Sequence, residues 1–197
     1  MSPVVLASKS AARAQILRNA GVRFETAGSG VDEDVLKAEG LANGRAPAQI
    51  AMALAEAKAL SVSRSRPGWV IGADQTLEFE GRLFDKAASA EDACRRLIEL
   101  RGKSHQLHSA VALAADGKVI WREIKTASLT MRDFSDAYLE GYMARNAEAA
   151  TACVGGYEWE GEGVQLFEAV EGDYFTILGL PLLGVLAELR RLGAVAA

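Results

Sequence analysis

The sequence predicts a protein of the α/β or α+β class, built on a mixed sheet. Three observations lead to this prediction: the chain opens in the order strand, helix, strand, its middle is rich in hairpin signals, and it ends on a helix. No internal repeat, low-complexity linker or shift in composition divides its 197 residues. A chain of this length can form one α/β domain, or two small lobes that share a core.

Composition and charge exclude several classes of protein. Hydrophobic residues make up 50% of the chain and charged residues 24%, as in ordinary globular proteins. A net charge of −4 argues against broad binding to nucleic acid or to an anionic membrane, although it allows a small basic pocket for a nucleotide. No run approaches the roughly 20 apolar residues of a membrane span. The N-terminal run is too short for a signal peptide, and Cys94 and Cys153 look like free thiols, so we expect a cytoplasmic protein.

The first strand and helix carry an unusual cation. A buried strand is predicted at 3–7, and a helix follows with Ser10 as its N-cap and Gly21 as its stop. Arg13 lies in the first turn, where positive charge opposes the helix dipole by about 0.3–1 kcal/mol. A bound anion would reverse that sign, because free N–H groups, hydroxyls and the guanidinium would all face it. The alternative is that Arg13 points into solvent.

Acidic residues follow the second predicted strand, at 22–27. The segment Val31-Asp32-Glu33-Asp34 comes after a glycine-rich turn. Consecutive acids are more typical of a solvated helix start than of a metal site. A loop after a strand is nevertheless where a Mg²⁺-binding carboxylate would be placed.

The next predicted helix, from Ala46 to about Ser61, places a lysine on its apolar side. Pro47 suits the first helical position. Lys58 follows Leu54 by four residues and so falls on the buried stripe, which also includes Ile50 and Ala57. A lysine there needs either a path to solvent for its ammonium or an anionic partner.

The stretch from Trp69 to Lys86 combines an acid and a cation. An apolar run ends at Gly72-Ala73, and Asp74 appears where the strand is expected to surface. A hairpin signal at Glu80-Gly81 returns the chain, which then reaches Lys86. An acid and a cation at one edge of a sheet suit phosphate chemistry. The alternative is a turn-forming Asp74 and a solvated Lys86.

The rest of the chain has recognisable caps and turns. Helices are predicted after the N-caps Ser89 and Ser135, and from Pro181, and a long hairpin is predicted around Asp116-Gly117. The corresponding ranges are 89–100, 134–143 and 181–193 for the helices, and 105–114, 118–131 and 164–170 for strands. His105 and His108 are three residues apart and would face opposite sides of a strand, so we predict neither as a metal ligand.

Short motifs along the whole chain resemble those of the Maf family of nucleoside triphosphate pyrophosphatases. Each motif alone is weak, whereas their order and spacing from end to end are similar to those of the family. They are Leu6-Ala7-Ser8-x-Ser10-x-x-Arg13, Val31-Asp32-Glu33, Ala55-x-x-Lys58-Ala59, Ile71-Gly72-Ala73-Asp74, Asp85-Lys86, Leu100-x-Gly102-x-x-His105, and Gly172-Asp173-Tyr174 with Gly179-Leu180-Pro181-Leu182.

The resemblance implies a fold, an activity and partners. The fold would be α/β with a mixed twisted sheet and two lobes around a deep cleft, related to the inosine triphosphate pyrophosphatases. The protein would be a homodimer that uses Mg²⁺ or Mn²⁺. It would cleave a nucleoside triphosphate between the α and β phosphates, which gives the monophosphate and pyrophosphate.

The resemblance also implies residue roles. Asp74 would be the general base that deprotonates the attacking water, and Glu33 with Asp74 would hold the metal. Phosphate would be bound by hydroxyls and cations, namely Ser8, Ser10, Arg13, Lys58 and Lys86. These residue types suit the chemistry, because phosphoryl oxygens need positive charge and the water needs a carboxylate.

The sequence departs from the commonest family pattern at three specificity positions. Many members have Ser-Pro-Arg-Arg, where this chain has Ser10-Ala11-Ala12-Arg13. Members that prefer dTTP and UTP usually have threonine after the catalytic acid and glutamine before a later glycine, where this chain has Gln75 and Glu160. Gln75 and Glu160 look like the branch that acts on 7-methyl-GTP. Ala12 does not, because that branch tends to have tryptophan there.

The hydrogen-bonding pattern of guanine gives a separate reason to regard Glu160 as a specificity residue. A guanine edge offers two N–H donors, and a carboxylate accepts both. The positive charge of a 7-methylated guanine adds attraction, whereas the alternating edge of thymine or uracil suits an amide better. The alternative is a solvated loop acid, since Glu158 and Glu162 flank it.

Three functional hypotheses therefore stand. The first is a pyrophosphatase that clears modified nucleotides such as 7-methyl-GTP. The second keeps the chemistry but prefers dTTP or UTP. The third is a non-catalytic nucleotide-binding regulator of cell division or septum formation.

Overall fold

The computed structural model describes residues 2–196 and has a mixed α/β fold. The strands are β1 Val4–Leu6, β2 Glu25–Thr26, β3 Trp69–Phe79, β4 Arg82–Phe84, β5 Ser104–Ala115, β6 Lys118–Met131 and β7 Phe167–Glu171. The helices are α1 Ala11–Asn19, α2 Glu33–Ala42, α3 Pro47–Ser63, α4 Ala90–Leu100, α5 Asp136–Ala152, α6 Tyr174–Ile177 and α7 Leu182–Arg191, with a 3₁₀ helix at Glu162–Leu166.

The strands form one mixed sheet, which confirms the predicted fold class. Their order is β2-β1-β3-β5-β6-β7, and β4 pairs with β3. β1 runs parallel to both β2 and β3, so Val5 lies opposite Glu25 on one side and Val70 on the other. β3 with β4 and β6 with β7 are antiparallel pairs. None of the helices in residues 2–196 is both long and apolar enough to cross a membrane.

The chain divides into two compact units that are interleaved in sequence. The first unit comprises the segment up to Gln75, His108–Lys125 and the segment from Tyr174, and the second comprises Thr76–Leu107 and Thr126–Asp173. Three of the boundaries fall inside β3, β5 and β6, and the fourth falls just before α6. No linker marks them, which is why composition along the chain gives no sign of a division.

The core of the first unit joins α1 and α7 to the parallel strands. β1 is buried along its whole length, and Leu6, Leu17, Ile71 and Leu189 belong to one apolar cluster. Burial of each such leucine or isoleucine side chain contributes about 1.5–3 kcal/mol. Ser10 caps α1 as predicted, because its Oγ accepts a hydrogen bond from the N–H of Arg13 at 3.3 Å.

α3 packs on the sheet of the first unit through alanines. Three alanines of α3 and three of β5 form one fully buried cluster, namely Ala51, Ala55, Ala59, Ala110, Ala112 and Ala114. β3 meets the same helix at Gly72, where an added Cβ would lie 2.2 Å from the carbonyl oxygen of Ala55 and 2.5 Å from the amide nitrogen of Ala59. Gly72 therefore allows the helix backbone to approach the strand. We call this contact the α3–β3 seam.

We predict that Gly72→Ala destabilises the protein by about 1–3 kcal/mol, because α3 must move away from β3 to admit the methyl group. Denaturant unfolding of the wild type and the variant measures this difference in the free energy of unfolding. Gly28→Ala is the matched control, since a Cβ there would meet nothing closer than Lys9 Cε at 3.9 Å. Equal stability of Gly72→Ala and the wild type would contradict the close approach.

The core of the second unit contains a buried polar pair among aromatic rings. Nε2 of His105 and the hydroxyl of Tyr157 lie 2.7 Å apart, and both residues are buried. Phe167 packs against both rings. Burial lowers the pKa of His105 to about 4, so the imidazole is neutral at pH 7.

Two predicted strands are wrong in extent. Only Glu25–Thr26 of the predicted strand 22–27 is paired, with β1. The predicted strand 164–170 begins instead as the 3₁₀ helix and becomes β7 only at Phe167. The cause lies at Gly163, where a Cβ would be 2.6 Å from the carbonyl oxygen of Glu158, so the chain folds tightly back there.

Other differences concern helices. The acids after residue 30 do begin a helix: Asp32 is the N-cap of α2 and accepts from the N–H of Val35 at 3.1 Å. α5 continues to Ala152, well past the predicted end at 143, and α6 was not predicted. Both cysteines are free thiols, as predicted.

Candidate functional site

Glu33, Lys58 and Asp74 form an acid–lysine–acid group in the first unit. Nζ of Lys58 lies 2.7 Å from Oδ1 of Asp74 and 2.8 Å from Oε1 of Glu33. The side chains of Lys58 and Asp74 are 6% and 8% exposed, and that of Glu33 is 43% exposed. The buried lysine predicted from helical periodicity thus has two anionic partners.

Three different elements bring this group together. Glu33 is the first residue of α2, Lys58 lies on the buried side of α3, and Asp74 lies in β3. The α3–β3 seam places Lys58 next to Asp74, because Gly72 and Ala59 are their near neighbours in sequence. The expectation that the strand ends before Asp74 is wrong. β3 continues to Phe79, so Asp74 is a buried strand residue and not a turn former.

The charges of the group do not cancel. Two carboxylates and one ammonium leave one net negative charge within the group, and the guanidinium of Arg13, which both carboxylates attract, supplies a further positive charge nearby. Within residues 2–196, Oδ2 of Asp74 makes no hydrogen bond to the protein and is not sealed from solvent. This oxygen is available to a water, a proton or a cation.

The acid–lysine–acid group could hold a divalent metal ion. Carboxylate oxygens are the ligands that Mg²⁺ and Mn²⁺ prefer, and Mg²⁺ commonly takes one or two of them together with substrate phosphates. In the described part of the chain, no group of three or more His, Cys, Asp or Glu side chains could hold a metal. A metal at Glu33 and Asp74 would therefore complete its shell with water and substrate.

Arg13 turns inward from the start of α1. Its Nε donates to the carbonyl oxygen of Gly179 at 2.8 Å, and its Nη1 donates to the carbonyl oxygen of Ala73 at 3.1 Å and to Ser8 Oγ at 3.3 Å. The alternative in which Arg13 points into solvent is wrong. Burial lowers the pKa of Arg13, and the charges of Asp74 and Glu33 oppose that shift.

A cavity of about 370 Å³ lies beside the N-terminus of α1, within the first unit. Hydroxyls and cations line part of it, namely Ser8, Lys9, Ser10, Arg18 and Thr26. Ser8 Oγ accepts from the N–H of Ser10 at 3.2 Å, so the loop before the helix is ordered by its own hydroxyl. Such a lining suits an anion, because amides, hydroxyls and positive charge all favour one. Ala12 lies half-buried in the same helical turn.

Gln75, which follows Asp74 in β3, is held by hydrogen bonds within the first unit. Its Nε2 lies 3.0 Å from each of three oxygens: Ser109 Oγ and the carbonyl oxygens of Thr176 and Ile177. The sequence gives no sign of the role of Ser109, which lies in β5 between His108 and Ala110, nor of the backbone partners, which have no side-chain signal. Gly179 was noticed only as part of a motif.

Lys86 and Glu160 belong to the second unit, and both are exposed. Lys86 follows β4, and Glu160 lies just before the 3₁₀ helix. Trp159 packs against Phe167 with ring centroids 5.3 Å apart, as a structural tryptophan would. Of the acids that flank Glu160, Glu162 is paired with Arg145 and Asn146, which lowers the pKa of Glu162 to about 2. The roles of Lys86 and Glu160 in binding stay predictions.

Comparison with known proteins gives consistent results. The pattern of the family described as "Maf-like protein" matches residues 3–192. A protein of Caulobacter vibrioides named nucleoside triphosphate pyrophosphatase is 58% identical over 195 residues, which are 99% of this chain and 98% of that protein. Proteins named 7-methyl-GTP pyrophosphatase are 49% identical in Brucella abortus, covering 95% of both chains, and 45% identical in Rhizobium meliloti, covering 99% of both. The resemblance inferred from the motifs is confirmed, and the chain belongs to the family of Maf-like proteins.

Proposed function

We propose that this protein hydrolyses nucleoside triphosphates between the α and β phosphates, releasing the monophosphate and pyrophosphate, with 7-methyl-GTP as a preferred substrate. The observation that carries the proposal is the acid–lysine–acid group, in which Asp74 is buried beside a cation with one carboxylate oxygen open. The names of the similar proteins from Caulobacter, Brucella and Rhizobium support the same activity.

Asp74 is the proposed general base. Oδ1 is occupied by the ammonium of Lys58 at 2.7 Å, which fixes the carboxylate and leaves Oδ2 to accept a proton from the attacking water. A positioned carboxylate of this kind contributes about 10²–10⁴-fold to the rate. Lys58 and Arg13 lie near the reacting phosphate in this proposal, and Lys86 binds the phosphate tail. Ser8, Ser10 and the cations of the adjacent cavity bind further phosphate oxygens.

The proposed cofactor is Mg²⁺ or Mn²⁺, held by Glu33 and Asp74. When bound, the ion supplies positive charge beside the phosphoryl oxygens, on which negative charge grows in the transition state. Glu33 suits this role because its half-exposed carboxylate opens to solvent while Lys58 anchors one of its oxygens. We also propose, from the family resemblance, that the protein is a homodimer and acts in the cytoplasm.

Two residues support a preference for 7-methyl-GTP over dTTP and UTP. Gln75 replaces the threonine of the pyrimidine branch, and Glu160 supplies a carboxylate that can accept both N–H donors of a guanine edge. Ala12 fits neither branch. The substrate is therefore tested directly, by a screen for pyrophosphate release from standard and methylated triphosphates with Mg²⁺ and with Mn²⁺. Cleavage of 7-methyl-GTP supports the proposal, cleavage of dTTP or UTP alone moves the protein to the pyrimidine group, and no cleavage favours a regulator.

We predict that Glu160→Gln shifts the substrate ranking from guanine toward pyrimidine nucleotides. The amide can accept only one of the two N–H donors and loses the attraction to a positively charged 7-methylguanine. The ratio of kcat/KM for 7-methyl-GTP to that for UTP should fall about tenfold, as for the loss of one charge-assisted hydrogen bond. Glu158→Gln, a neighbouring exposed acid, is the matched control. An unchanged substrate ranking in Glu160→Gln would contradict the proposal that Glu160 binds the guanine edge.

A further inference from the structure

The side-chain amide of Gln75 is surrounded by hydrogen-bond acceptors on one side. Nε2 lies 3.0 Å from Ser109 Oγ and 3.0 Å from the carbonyl oxygens of Thr176 and Ile177. Carbonyl oxygens only accept hydrogen bonds. Two of the three partners therefore require an N–H, and not an oxygen, at this position.

Ser109 also acts as an acceptor toward Gln75. Its hydroxyl donates to the carbonyl oxygen of Thr176 at 2.6 Å, which uses its one hydrogen. The side chain is fully buried, so no solvent competes for that bond. What Ser109 offers Gln75 is a lone pair. Turning the amide over would place Oε1 against two carbonyl oxygens that can donate nothing to it, and against a hydroxyl whose hydrogen already bonds to Thr176.

The opposite end of the amide is open. Oε1 accepts no hydrogen bond from residues 2–196 and is not sealed from solvent. It faces Gly179, where a Cβ would lie 3.5 Å from Oε1 and 3.4 Å from Nε and Nη2 of Arg13. Gly179 has φ +92°, in the left-handed region that favours glycine, so the space beside Oε1 is kept free of a side chain.

We propose that Ser109 is a positioning residue that, together with the carbonyl oxygens of Thr176 and Ile177, holds Gln75 in one orientation, so that Gln75 presents an acceptor to the substrate. This inference rests on the proposed function, in which Gln75 contacts the nucleotide. The ligand chemistry follows from the polarity: Oε1 selects an N–H or O–H donor, and a group that offers only a lone pair is disfavoured. On 7-methyl-GTP, that donor is either the exocyclic amine of the base or a hydroxyl of the sugar.

The polarity is tested first without substrate, by Gln75→Glu. A carboxylate has no N–H, so one of its oxygens would face the carbonyl oxygens of Thr176 and Ile177, which can donate nothing to it. We therefore expect the unfolding midpoint of Gln75→Glu at pH 7 to fall clearly below that of the wild type.

Gln49→Glu is the matched control for this measurement. Gln49 uses its amide in the opposite sense, because its Oε1 accepts from the N–H of Ala46 at 2.9 Å at the start of α3. A carboxylate keeps that bond and suits a helix N-terminus, so the unfolding midpoint of Gln49→Glu should stay close to that of the wild type. If Gln75→Glu behaved like Gln49→Glu, the assigned polarity would be overturned, whatever the enzyme hydrolyses.

The role of Ser109 is tested by a double-mutant cycle on substrate selectivity. The substrates are 7-methyl-GTP, its analogue without the exocyclic amine and its analogue without the 2′-hydroxyl. In Ser109→Ala, the ratio of kcat/KM for 7-methyl-GTP to that for one of the two analogues should fall about tenfold, because one hydrogen bond is misplaced. If the ratio to the analogue without the exocyclic amine falls, the donor is on the base. If the ratio to the analogue without the 2′-hydroxyl falls, the donor is on the sugar.

In a Gln75→Ala background, Ser109→Ala should have no further effect on these ratios, because the residue that it positions is gone. A merely structural serine would lower all rates alike and would do so in both backgrounds, and that outcome would overturn the proposal. If no triphosphate is hydrolysed at all, the proposed function fails, while the stability of Gln75→Glu still decides the polarity.

Discussion

Replacing Asp74 by asparagine is expected to abolish measurable turnover, a loss of about 10²–10⁴-fold or more. Asparagine has the same shape as aspartate, but it cannot take a proton from water and is a poor ligand for a divalent ion. The fold should survive, because the ammonium of Lys58 keeps Glu33 as its partner at 2.8 Å. Pyrophosphate release measures the activity, and circular dichroism checks the fold.

The matched control for this substitution is Asp34→Asn. Asp34 follows Glu33 in the first turn of α2, is exposed, and makes only a loose contact with Lys37 at 3.9 Å. Turnover of this variant should equal that of the wild type. Wild-type turnover in Asp74→Asn would show that another group activates the water.

Replacing Lys58 by methionine is expected to lower both stability and activity strongly. The apolar side chain fills similar space but removes the ammonium that contacts both carboxylates, and Asp74 is buried. Arg13 remains as a more distant positive charge. Breaking a buried pair by removing one partner typically destabilises a protein by about 3–5 kcal/mol. Denaturant unfolding measures the loss of stability, and pyrophosphate release measures the loss of activity.

The double variant separates charge from packing. In the Lys58→Met background, Asp74→Asn removes the buried unpaired charge and should raise the free energy of unfolding, although the same change in the wild type breaks an ion pair and should lower it. This reversal of sign is specific to an ion pair. If Asp74→Asn lowered stability in both backgrounds, the loss in Lys58→Met would come from packing alone.

Helix caps and tight turns, which depend on a few neighbouring residues, were predicted correctly from the sequence. Hydroxyls before helices act as caps, as at Ser89 and Ser135. The hairpin turn at Glu80-Gly81 has φ values of 51° and 76°, which the sequence pattern of a tight turn predicts. The strand predicted at 164–170 failed for a non-local reason, since the chain there folds back on Glu158.

The site was predicted in part, for similar reasons. Helical periodicity places Lys58 on the buried side of α3, but it cannot name the acids that meet the ammonium, because those depend on how closely α3 approaches β3. The sequence marks Arg13 as unusual, because it is a cation in the first turn of a helix. Its partners, however, are the carbonyl oxygens of Ala73 and Gly179, which no side-chain pattern reveals. The partners of Gln75 are hidden in the same way.

The α3–β3 seam has a consequence for how such an enzyme can diversify. Beside Lys58 and Asp74, the separation of the α3 and β3 backbones is determined by their contact at Gly72, and alanine methyl groups fill the space between α3 and β5. A side chain at position 72 would push α3 away from β3 and move the backbone of Lys58 away from Asp74. Under the proposed function, substitutions at Ala12, Gln75 and Glu160 could change the substrate without moving Lys58 relative to Asp74, whereas a substitution at Gly72 could not.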